Sequence, residues 1–210
     1  MIPMTQLTEP SDQRLAKGAR ARATIARRAA ELASVEGLDG LSIGRLAIDL
    51  GISKSGIATL FGTKEALQLA AVQAGRDIFI ERVIAPGLRT PRGGTRVRAM
   101  IDGWFAHIEN PPFPGGCFRV ATLTEFSSKP GPVRDAVVAD HDSWLSFLAD
   151  EVRKAQAMGE LAAVDPDLLV FELDAIVSAA NIARQTGDST RVKAARTIAT
   201  RLLSDAASGA

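Results

Sequence analysis

The chain has 210 residues, of which 46% are hydrophobic and 23% charged, and its formal net charge is +1. It contains no run of eighteen consecutive apolar residues, which argues against a membrane-spanning helix, and its composition excludes a fibrous or disordered chain. The single cysteine, Cys117, excludes an intrachain disulfide and a multi-cysteine zinc site. We therefore expect a globular protein of a reducing compartment, the cytoplasm.

Charge is unevenly distributed along the chain. Residues 13–64 hold nine Lys and Arg against four Asp and Glu, a balance of +5, whereas the rest of the chain has a balance of −4. Such a split favours a basic part that meets a polyanion and a second part with a different role. A solvated first helix explains part of the pattern equally well, since six of the nine basic residues precede residue 30.

Helical spacing of apolar residues, interrupted by Gly and Pro, predicts an all-α protein. No stretch alternates with a period of two, and Tyr is absent, which further disfavours strands. Ser42, Thr63 and Asp165 each precede a predicted helix and are expected to accept hydrogen bonds from its first turn. We predict about nine helices, near residues 16–36, 42–49, 53–60, 63–84, 94–109, 117–128, 131–158, 166–186 and 188–205.

The predicted organisation has three parts. Residues 1–17 form a flexible N-terminal arm, residues 18–64 a compact three-helix unit, and residues 65–210 a larger helical bundle. Short loops that contain Gly40 and Gly51 join the first helices closely, which supports the compact unit. The division falls at the start of the fourth helix.

Residues 42–61 satisfy the packing demands of a helix-turn-helix. Two short helices that cross closely need a small residue at the crossing and a left-handed turn between them, and Ala47 and Gly51 meet these needs. Apolar residues take the buried positions of the unit: Leu46, Leu50, Ile52, Ile57 and Leu60. The second helix then presents small polar residues and one cation, Lys54, to the major groove of DNA. The spacing alone would also fit two ordinary packed helices.

The segment from Arg22 to Leu69 carries a larger set of matching residues. They are Ile25, Ala29, Ala30, Gly37, Ser42, Ile43, Leu46, Ala47, the run Gly51-Ile52-Ser53-Lys54-Ser55, Phe61, Lys64, Glu65 and Leu67. In order and spacing they resemble the N-terminal domain of TetR-type (TetR/AcrR) transcriptional repressors. One position departs from the family: Ala58 stands where a Tyr that often contacts phosphate is common, while Phe61 keeps the Phe three residues later.

This resemblance implies a ligand-responsive repressor that binds a palindromic operator in double-stranded DNA as a homodimer. Residues 18–64 would be the DNA-binding domain, and residues 65–210 would bind an effector and form the dimer. The residues implied to face DNA are Arg45, Ser53, Lys54, Ser55, Gly56, Thr59 and Lys64. Long cations suit phosphates or guanine edges, hydroxyls suit bases or backbone, and Gly56 permits close approach.

A dimer face is expected in the last two predicted helices, because one helix-turn-helix covers only a half-site. The candidates are apolar residues at helical spacing: Leu169, Leu173, Ile176, Ala180, Ile198 and Leu202. The same residues would equally close the core of one monomer. The resemblance favours the dimer, since these repressors commonly dimerise through a bundle of two C-terminal helices from each subunit.

The middle of the chain concentrates both tryptophans and most other aromatic residues. Aromatic side chains at helical spacing usually pack in the core, yet a helical bundle can leave an apolar cavity with a few polar groups. The candidates to line such a cavity are Trp104, His107, Phe118, Thr122, Glu125, Phe126, His141 and Trp144. We expect a small, largely apolar effector, whose identity the resemblance does not give.

Two other functions compete with DNA binding. A thiol enzyme could use Cys117 with His107 or His141 as its base, although the neighbours of Cys117 suit a buried, inert cysteine. No helical pair of metal ligands and no phosphate-binding Gly-rich loop occurs, so we expect no catalytic residue, metal or cofactor. A helical ligand-binding or scaffold protein without DNA recognition is the second alternative, favoured by Ala58.

Overall fold

The computed structural model describes residues 10–208, and these residues form helices and loops without any strand. The helices are α1 (Pro10–Glu36), α2 (Ile43–Leu50), α3 (Lys54–Phe61), α4 (Lys64–Phe79), α5 (Ala85–Leu88), α6 (Gly94–Glu109), α7 (Phe118–Phe126), α8 (Pro132–Ala157), α9 (Pro166–Gln185) and α10 (Ser189–Ser208). A π-helical segment, Ile80–Ile84, joins α4 to α5 without a break. If α4, the π segment and α5 are counted as one helix, the described residues form nine helices. The predicted all-α fold of about nine helices is confirmed.

Local sequence signals set several helix boundaries. The side chains of Ser42, Thr63 and Asp165 each accept a hydrogen bond from a backbone N–H in the first turn that follows. These N–H groups have no partner within their own helix, so each cap satisfies an otherwise unpaired donor. The three predicted caps are confirmed.

The first helix begins earlier than predicted. It starts at Pro10, so residues 10–17 are helical and do not belong to a flexible arm. Proline is favourable at the first position of a helix, and the alanines that follow have the highest helix propensity. Residues 1–9 of the predicted arm lie outside the described residues.

The π-helical segment Ile80–Ile84 was not predicted. The sequence pattern indicated one regular helix ending near residue 84, whereas helical structure continues through the π segment to Leu88. A π turn interrupts the regular ladder of hydrogen bonds, and such segments frequently occur at functional sites. Val83 is fully buried, while Ile80 is 36% exposed.

The interior of the described chain contains two apolar clusters. The first lies between α1, α2, α3 and α4 and includes Leu46, Ile57 and Leu67. The second lies between the π segment, α6, α8, α9 and α10 and includes Trp104 and Trp144.

Helix α7 packs mainly on the first of these clusters, although it follows α6 in the chain. Phe118 and Phe126, at its two ends, both belong to the cluster around α1–α4. Helices α4 and α7 approach closely at Gly75, where an added Cβ would clash with the ring of Phe118. The larger bundle is therefore in direct contact with the three N-terminal helices through α7.

Candidate functional site

Helices α2 and α3 form the predicted helix-turn-helix. Gly51 ends α2 in the left-handed conformation, with φ of +64°, and the N–H of Ile52 donates to the carbonyl oxygen of Ala47 at 3.1 Å. Leu46 and Ile57 are fully buried. Because a side chain with a Cβ is disfavoured at that φ, glycine at position 51 allows the tight turn.

Burial in the turn differs from the prediction at Ile52. Its side chain is 43% exposed, and that of Ile48 is 76% exposed. Leu50 and Leu60 are half-buried against the core of the unit. Ile52 follows the left-handed turn directly, which carries it to the outside of the unit, so the prediction that it is buried was wrong.

The outer face of α3 is polar and accessible. Lys54, Ser55, Gly56 and Thr59 are all exposed. Lys54 forms no ion pair or hydrogen bond within the described part of the chain, so its ammonium group is available to an external anion. The hydroxyl of Thr59 donates to the carbonyl oxygen of Ser55 at 2.8 Å.

Ser53 has a structural task at the start of α3. Its Oγ accepts a hydrogen bond from the N–H of Gly56 at 3.1 Å and one from the hydroxyl of Ser55 at 3.2 Å. Capping residues of this type contribute about 1 kcal/mol to helix stability. Any contact of Ser53 with DNA would therefore compete with its role as N-cap.

The two other predicted DNA-facing cations already have protein partners. Arg45, 44% exposed at its side chain, pairs with Glu36 at 3.0 Å and with Asp49 at 3.9 Å. Lys64 donates from Nζ to the carbonyl oxygen of Asp39 at 2.6 Å. Both remain at the surface, where ion pairs are weak and exchange readily.

An ion pair that the sequence analysis missed fixes α2 against α1. Arg28 donates from Nε and Nη2 to the two carboxylate oxygens of Asp49 at 2.5 and 2.9 Å. These hydrogen bonds lower the pKa of Asp49 below its usual range. Bidentate pairs of this kind fix orientation as well as distance.

The predicted effector-pocket residues do not form one group. Phe118, Thr122 and Phe126 are buried on the side of α7 that faces the N-terminal helices, and both phenylalanines belong to the first core cluster. Phe118 and Thr122 do border a cavity with His141, but it measures only about 10 Å³, which is too small for an effector. Their assignment to an effector pocket is therefore corrected: these residues join the two halves of the chain.

Glu125 holds the loop between α1 and α2. Its two carboxylate oxygens accept hydrogen bonds from the backbone N–H groups of Leu38, at 2.8 Å, and Asp39, at 2.9 Å. Lys129 pairs with Asp39 at 2.5 Å, which lowers the pKa of that carboxyl, and lies 3.7 Å from Glu125. We call these contacts of Glu125 and Lys129 with Leu38 and Asp39 the loop clamp. Glu125 is thus not a pocket residue.

Trp104, His107 and Trp144 do come together, around the ring of Phe79. The ring centroids lie 6.0, 5.5 and 5.1 Å from that of Phe79, and the rings meet edge to face. Burial, together with the positive charge of Arg82 and Arg119, lowers the pKa of His107 to about 4. His107 is therefore neutral at physiological pH.

A buried ion pair borders this aromatic group. Nη1 of Arg119 lies 2.7 Å from Oδ2 of Asp140, and its guanidinium carbon lies 4.5 Å from the ring centroid of Phe79. Nearby, Nε2 of His141 lies 3.5 Å from Oδ2 of Asp174. Arg119 was not among the predicted site residues, although a cation directly after Phe118 in an otherwise apolar turn is a recognisable signal.

The arrangement around Cys117 does not favour a nucleophilic thiol. The residue is fully buried, and burial raises the pKa of its thiol. Its backbone N–H donates to Oδ1 of Asn181 at 3.0 Å. A buried thiol with a raised pKa yields little of the thiolate that acts as a nucleophile.

Within residues 10–208, no group of three or more His, Cys, Asp and Glu side chains is placed to hold a metal ion. None of the helices in these residues combines the length and the apolar composition that a membrane span requires.

Half of the predicted dimer-face residues point inward. Leu169, Leu173 and Ala180 are buried in the second core cluster, so they close the monomer's own core, which corrects their assignment. Ile176 and Leu202 are partly buried against the same cluster, and Ile198 is 40% exposed. The fully buried residues cannot contribute to a surface between subunits.

A different row of α9 residues is exposed and apolar. Leu168, Phe171 and Ile182 are 57%, 67% and 61% exposed, with Ala175 and Ala179 between them on the same side of the helix. We call this row the α9 stripe. A groove of about 430 Å³ separates it from α10 and is bordered there by Ile198. Contiguous apolar surface of this kind marks an interaction site.

Comparison with known proteins agrees with this architecture. A family model described as the tetracyclin repressor-like C-terminal domain matches residues 93–199, just over half of the chain. No curated protein matches the chain. Among solved structures, the chain is similar to a TetR transcriptional regulator from Chloroflexus aurantiacus J-10-FL, with 27% identity and a TM-score of 0.80 over 90% of this chain and 94% of that one.

Two further structures share the fold at lower identity. AibR, solved in complex with isovaleryl coenzyme A and operator DNA, is 23% identical, with a TM-score of 0.62 over 75% of this chain and 84% of its own. A transcriptional regulator from Saccharomonospora viridis in complex with choline is 21% identical, with a TM-score of 0.71 over 89% of this chain and 96% of its own. Proteins of this family are transcription factors and not enzymes. The match over residues 93–199, on a fold that carries a helix-turn-helix, shows that the chain belongs to the TetR family of DNA-binding transcriptional regulators.

Proposed function

We propose that the protein is a cytoplasmic, homodimeric repressor that binds a palindromic operator through α3 and leaves it when a small, largely apolar effector binds. The DNA-binding domain would comprise residues 18–64 and the effector and dimerisation domain residues 65–210. The observation that carries the proposal is the exposed polar face of α3, supported by the buried residues Leu46 and Ile57.

The exposed side chains of α3 have separate tasks in this proposal. Lys54 binds a phosphate or a guanine edge, since no group within residues 10–208 competes for its ammonium. Ser55 and Thr59 reach bases or backbone, and Gly56 allows the DNA to approach closely. Arg45 and Lys64 add phosphate contacts by exchanging their surface partners, while Ser53 contributes mainly as the cap of α3.

Two copies of the chain would meet through the α9 stripe. A symmetric dimer places two recognition helices on the two halves of a palindrome, which one monomer cannot do. The exposure of Leu168, Phe171 and Ile182 supports this face, and Ala175 and Ala179 leave room for a close helix approach. Ile176, Ile198 and Leu202 border the same surface.

Two connections would carry an effector signal to the DNA-binding domain. Helix α4 runs from Lys64, beside the DNA-binding helices, to Phe79 in the aromatic group. The loop clamp is the second connection, because Glu125 bonds directly to the backbone between α1 and α2. A small shift of α4, or of α7 with its Glu125, would change the spacing of the two recognition helices in the dimer. Release of the operator then requires that the effector bind the shifted state more tightly.

Relatives with the same fold support the effector part of the proposal. AibR was solved with isovaleryl coenzyme A, and the regulator from Saccharomonospora viridis with choline. These ligands differ in charge and size, so the ligand of this chain has to be inferred from its own residues.

The first experiment is selection of the purified protein on a random duplex DNA library at about 150 mM salt, where weak non-specific contacts are suppressed. Recovery of a palindrome with half-sites about one helical turn or more apart supports the proposal. If no motif is recovered, the proposal is contradicted and the scaffold or ligand-binding alternative is favoured. Ala58→Tyr, which introduces the residue common in the family, is then the variant to test.

The selected operator then tests the role of Lys54. Each phosphate contact contributes about 0.9 to the slope of log affinity against log salt, so Lys54→Ala in both subunits should flatten the slope by about 1.8. Lys193→Ala, an exposed lysine of α10, is the matched control. An unchanged slope for Lys54→Ala removes this residue from the interface.

A further inference from the structure

Unpartnered polar atoms are concentrated in one region of the bundle. Five buried side-chain atoms in the described residues have no hydrogen-bond partner: Trp104 Nε1, His107 Nδ1, Arg119 Nε, Trp144 Nε1 and Asp174 Oδ1. The first four belong to side chains that contact the ring of Phe79. Buried polar groups are nearly always paired, and an unpaired one is costly, so such a concentration requires an explanation.

Two of the residues that carry these atoms, Arg119 and Trp144, line an open cleft. It has a volume of about 240 Å³ and lies between the π-helical segment and α8, with Ile80 and Ile84 on one side and Phe147 on the other. Arg119 and Trp144 line it, at 7% and 2% exposure. Both side chains therefore combine near-complete burial, a position at the cleft and an N–H without an acceptor. Trp104 and His107 do not line the cleft but contact Phe79, and Trp104 interacts with the sulfur of Cys117, a weak acceptor.

The charges at the cleft favour an anion. The charged side chains that line it are Arg76, Arg119 and Asp140, which together carry one net positive charge. Asp140 is occupied by both arginines, at 2.7 Å from Nη1 of Arg119 and 3.6 Å from Nε of Arg76. Among the described residues, the Nε–H of Arg119 and the indole N–H of Trp144 have no acceptor.

We propose that this cleft binds a compact aromatic carboxylate, whose oxygens accept hydrogen bonds from Arg119 Nε and Trp144 Nε1 while its ring packs between Ile80 and Phe147. This proposal rests on the proposed effector-responsive function and names the chemistry of the effector. The volume suits a single ring, since pockets for drug-sized ligands measure about 300–1,000 Å³. A quaternary ammonium compound is disfavoured, because it would meet Arg76 and Arg119 and leave both N–H groups unpaired.

Tryptophan fluorescence of the full-length protein, without DNA, provides the test. The chain has two tryptophans: Trp144 lines the cleft, and Trp104 contacts the ring of Trp144 with centroids 5.3 Å apart, so the fluorescence reports on the cleft and its immediate neighbour. The probes are benzoate, benzyl alcohol and benzyltrimethylammonium, which share a ring and differ in charge. We expect saturable binding of benzoate, at least about tenfold tighter than that of the cation.

Two variants and two controls assign the binding to the cleft. Ser143→Phe fills the cleft from an exposed position and should abolish benzoate binding, whereas Ser146→Phe, also exposed on α8 but outside the cleft, should not. Arg76→Gln should weaken benzoate severalfold and leave benzyl alcohol unchanged. Arg89→Gln, an exposed arginine outside the cleft, should change neither.

Three results would overturn the proposal: no saturable benzoate binding, binding of benzyltrimethylammonium as tight as that of benzoate, or benzoate binding that survives Ser143→Phe. The first would indicate that water alone satisfies these N–H groups. The benzoate test and the operator selection can fail independently, because the operator selection uses no ligand. Benzoate binding that leaves the operator complex intact would support the ligand class and contradict effector-driven release.

Discussion

Replacing Glu125 by Gln tests how strongly the loop clamp stabilises the fold. The carboxylate accepts two backbone hydrogen bonds, from Leu38 at 2.8 Å and from Asp39 at 2.9 Å, and its side chain is only 21% exposed. Glutamine keeps one accepting oxygen and turns an NH2 group towards the other donor. Because a hydrogen bond to a charged group contributes about 1.5–3 kcal/mol, the free energy of unfolding should fall by about that amount.

The assay is urea unfolding of the full-length protein at one fixed protein concentration, since a dimer's stability depends on concentration. A parallel thermal melt should show a decrease of about 3–12 °C, at 2–4 °C per kcal/mol for a protein of this size. Glu81→Gln is the control, because Glu81 is exposed and forms no hydrogen bond or ion pair within the described residues. Equal stability of the two variants would refute the argument that the clamp stabilises the fold.

Three further predictions concern the core, the buried histidine and the dimer. Ile57→Ala, at a fully buried position, should lower the free energy of unfolding by about 2–5 kcal/mol, while Ile48→Ala, at a residue 76% exposed, should change it by about 0.5 kcal/mol or less. Equal losses of stability for the two variants in urea titrations would contradict the assigned packing. The pKa of His107 is about 4 in the folded protein and 6.5 in the unfolded chain, so the unfolded state binds more protons between these pH values. The free energy of unfolding should therefore fall by about 3 kcal/mol as the pH drops from 7 to 4. His107→Gln should remove that part of the pH dependence, and identical pH profiles of wild type and variant would show that His107 does not cause it. Phe171→Glu should convert the dimer to a monomer in sedimentation velocity, whereas a persisting dimer would exclude the α9 stripe as the interface.

Local features of the fold were accessible from the sequence because they depend on neighbouring residues. The turn between α2 and α3 follows from Gly51, and the starts of α2, α4 and α9 follow from single capping side chains. The π segment was not accessible, since Ile80–Ile84 has the composition of an ordinary helix. Its irregular hydrogen bonds have no local sequence signature.

The orientation of α9 shows a different limit. Apolar residues occur on several sides of this helix, so its periodicity does not tell which side faces the monomer's own core. Leu168 and Leu169 are adjacent, yet the first is 57% exposed and the second 5% exposed. Only the packing of α8 and α10 against α9 determines which residues remain for a partner.

The role of Glu125 was missed for another reason. Its partners are backbone N–H groups of Leu38 and Asp39, 87 and 86 residues away. Every residue except proline has such a donor, so the sequence of the loop carries no sign of the contact. For Arg119 the apolar neighbours did mark the cation as unusual, but its partner Asp140 could not be predicted, because the pairing depends on how α7 lies against α8.

Helix α7 is nine residues long, and it carries Arg119 at the cleft and Glu125 at the loop clamp. At about 1.5 Å per residue, these two side chains start about 9 Å apart along the helix axis. An effector that displaces α7 to weaken DNA binding is subject to thermodynamic reciprocity: operator DNA must weaken effector binding by the same factor. Dimers free of DNA would then bind effector at lower concentrations than dimers on the operator, so the number of DNA sites in the cell would itself shift the dose at which the protein responds.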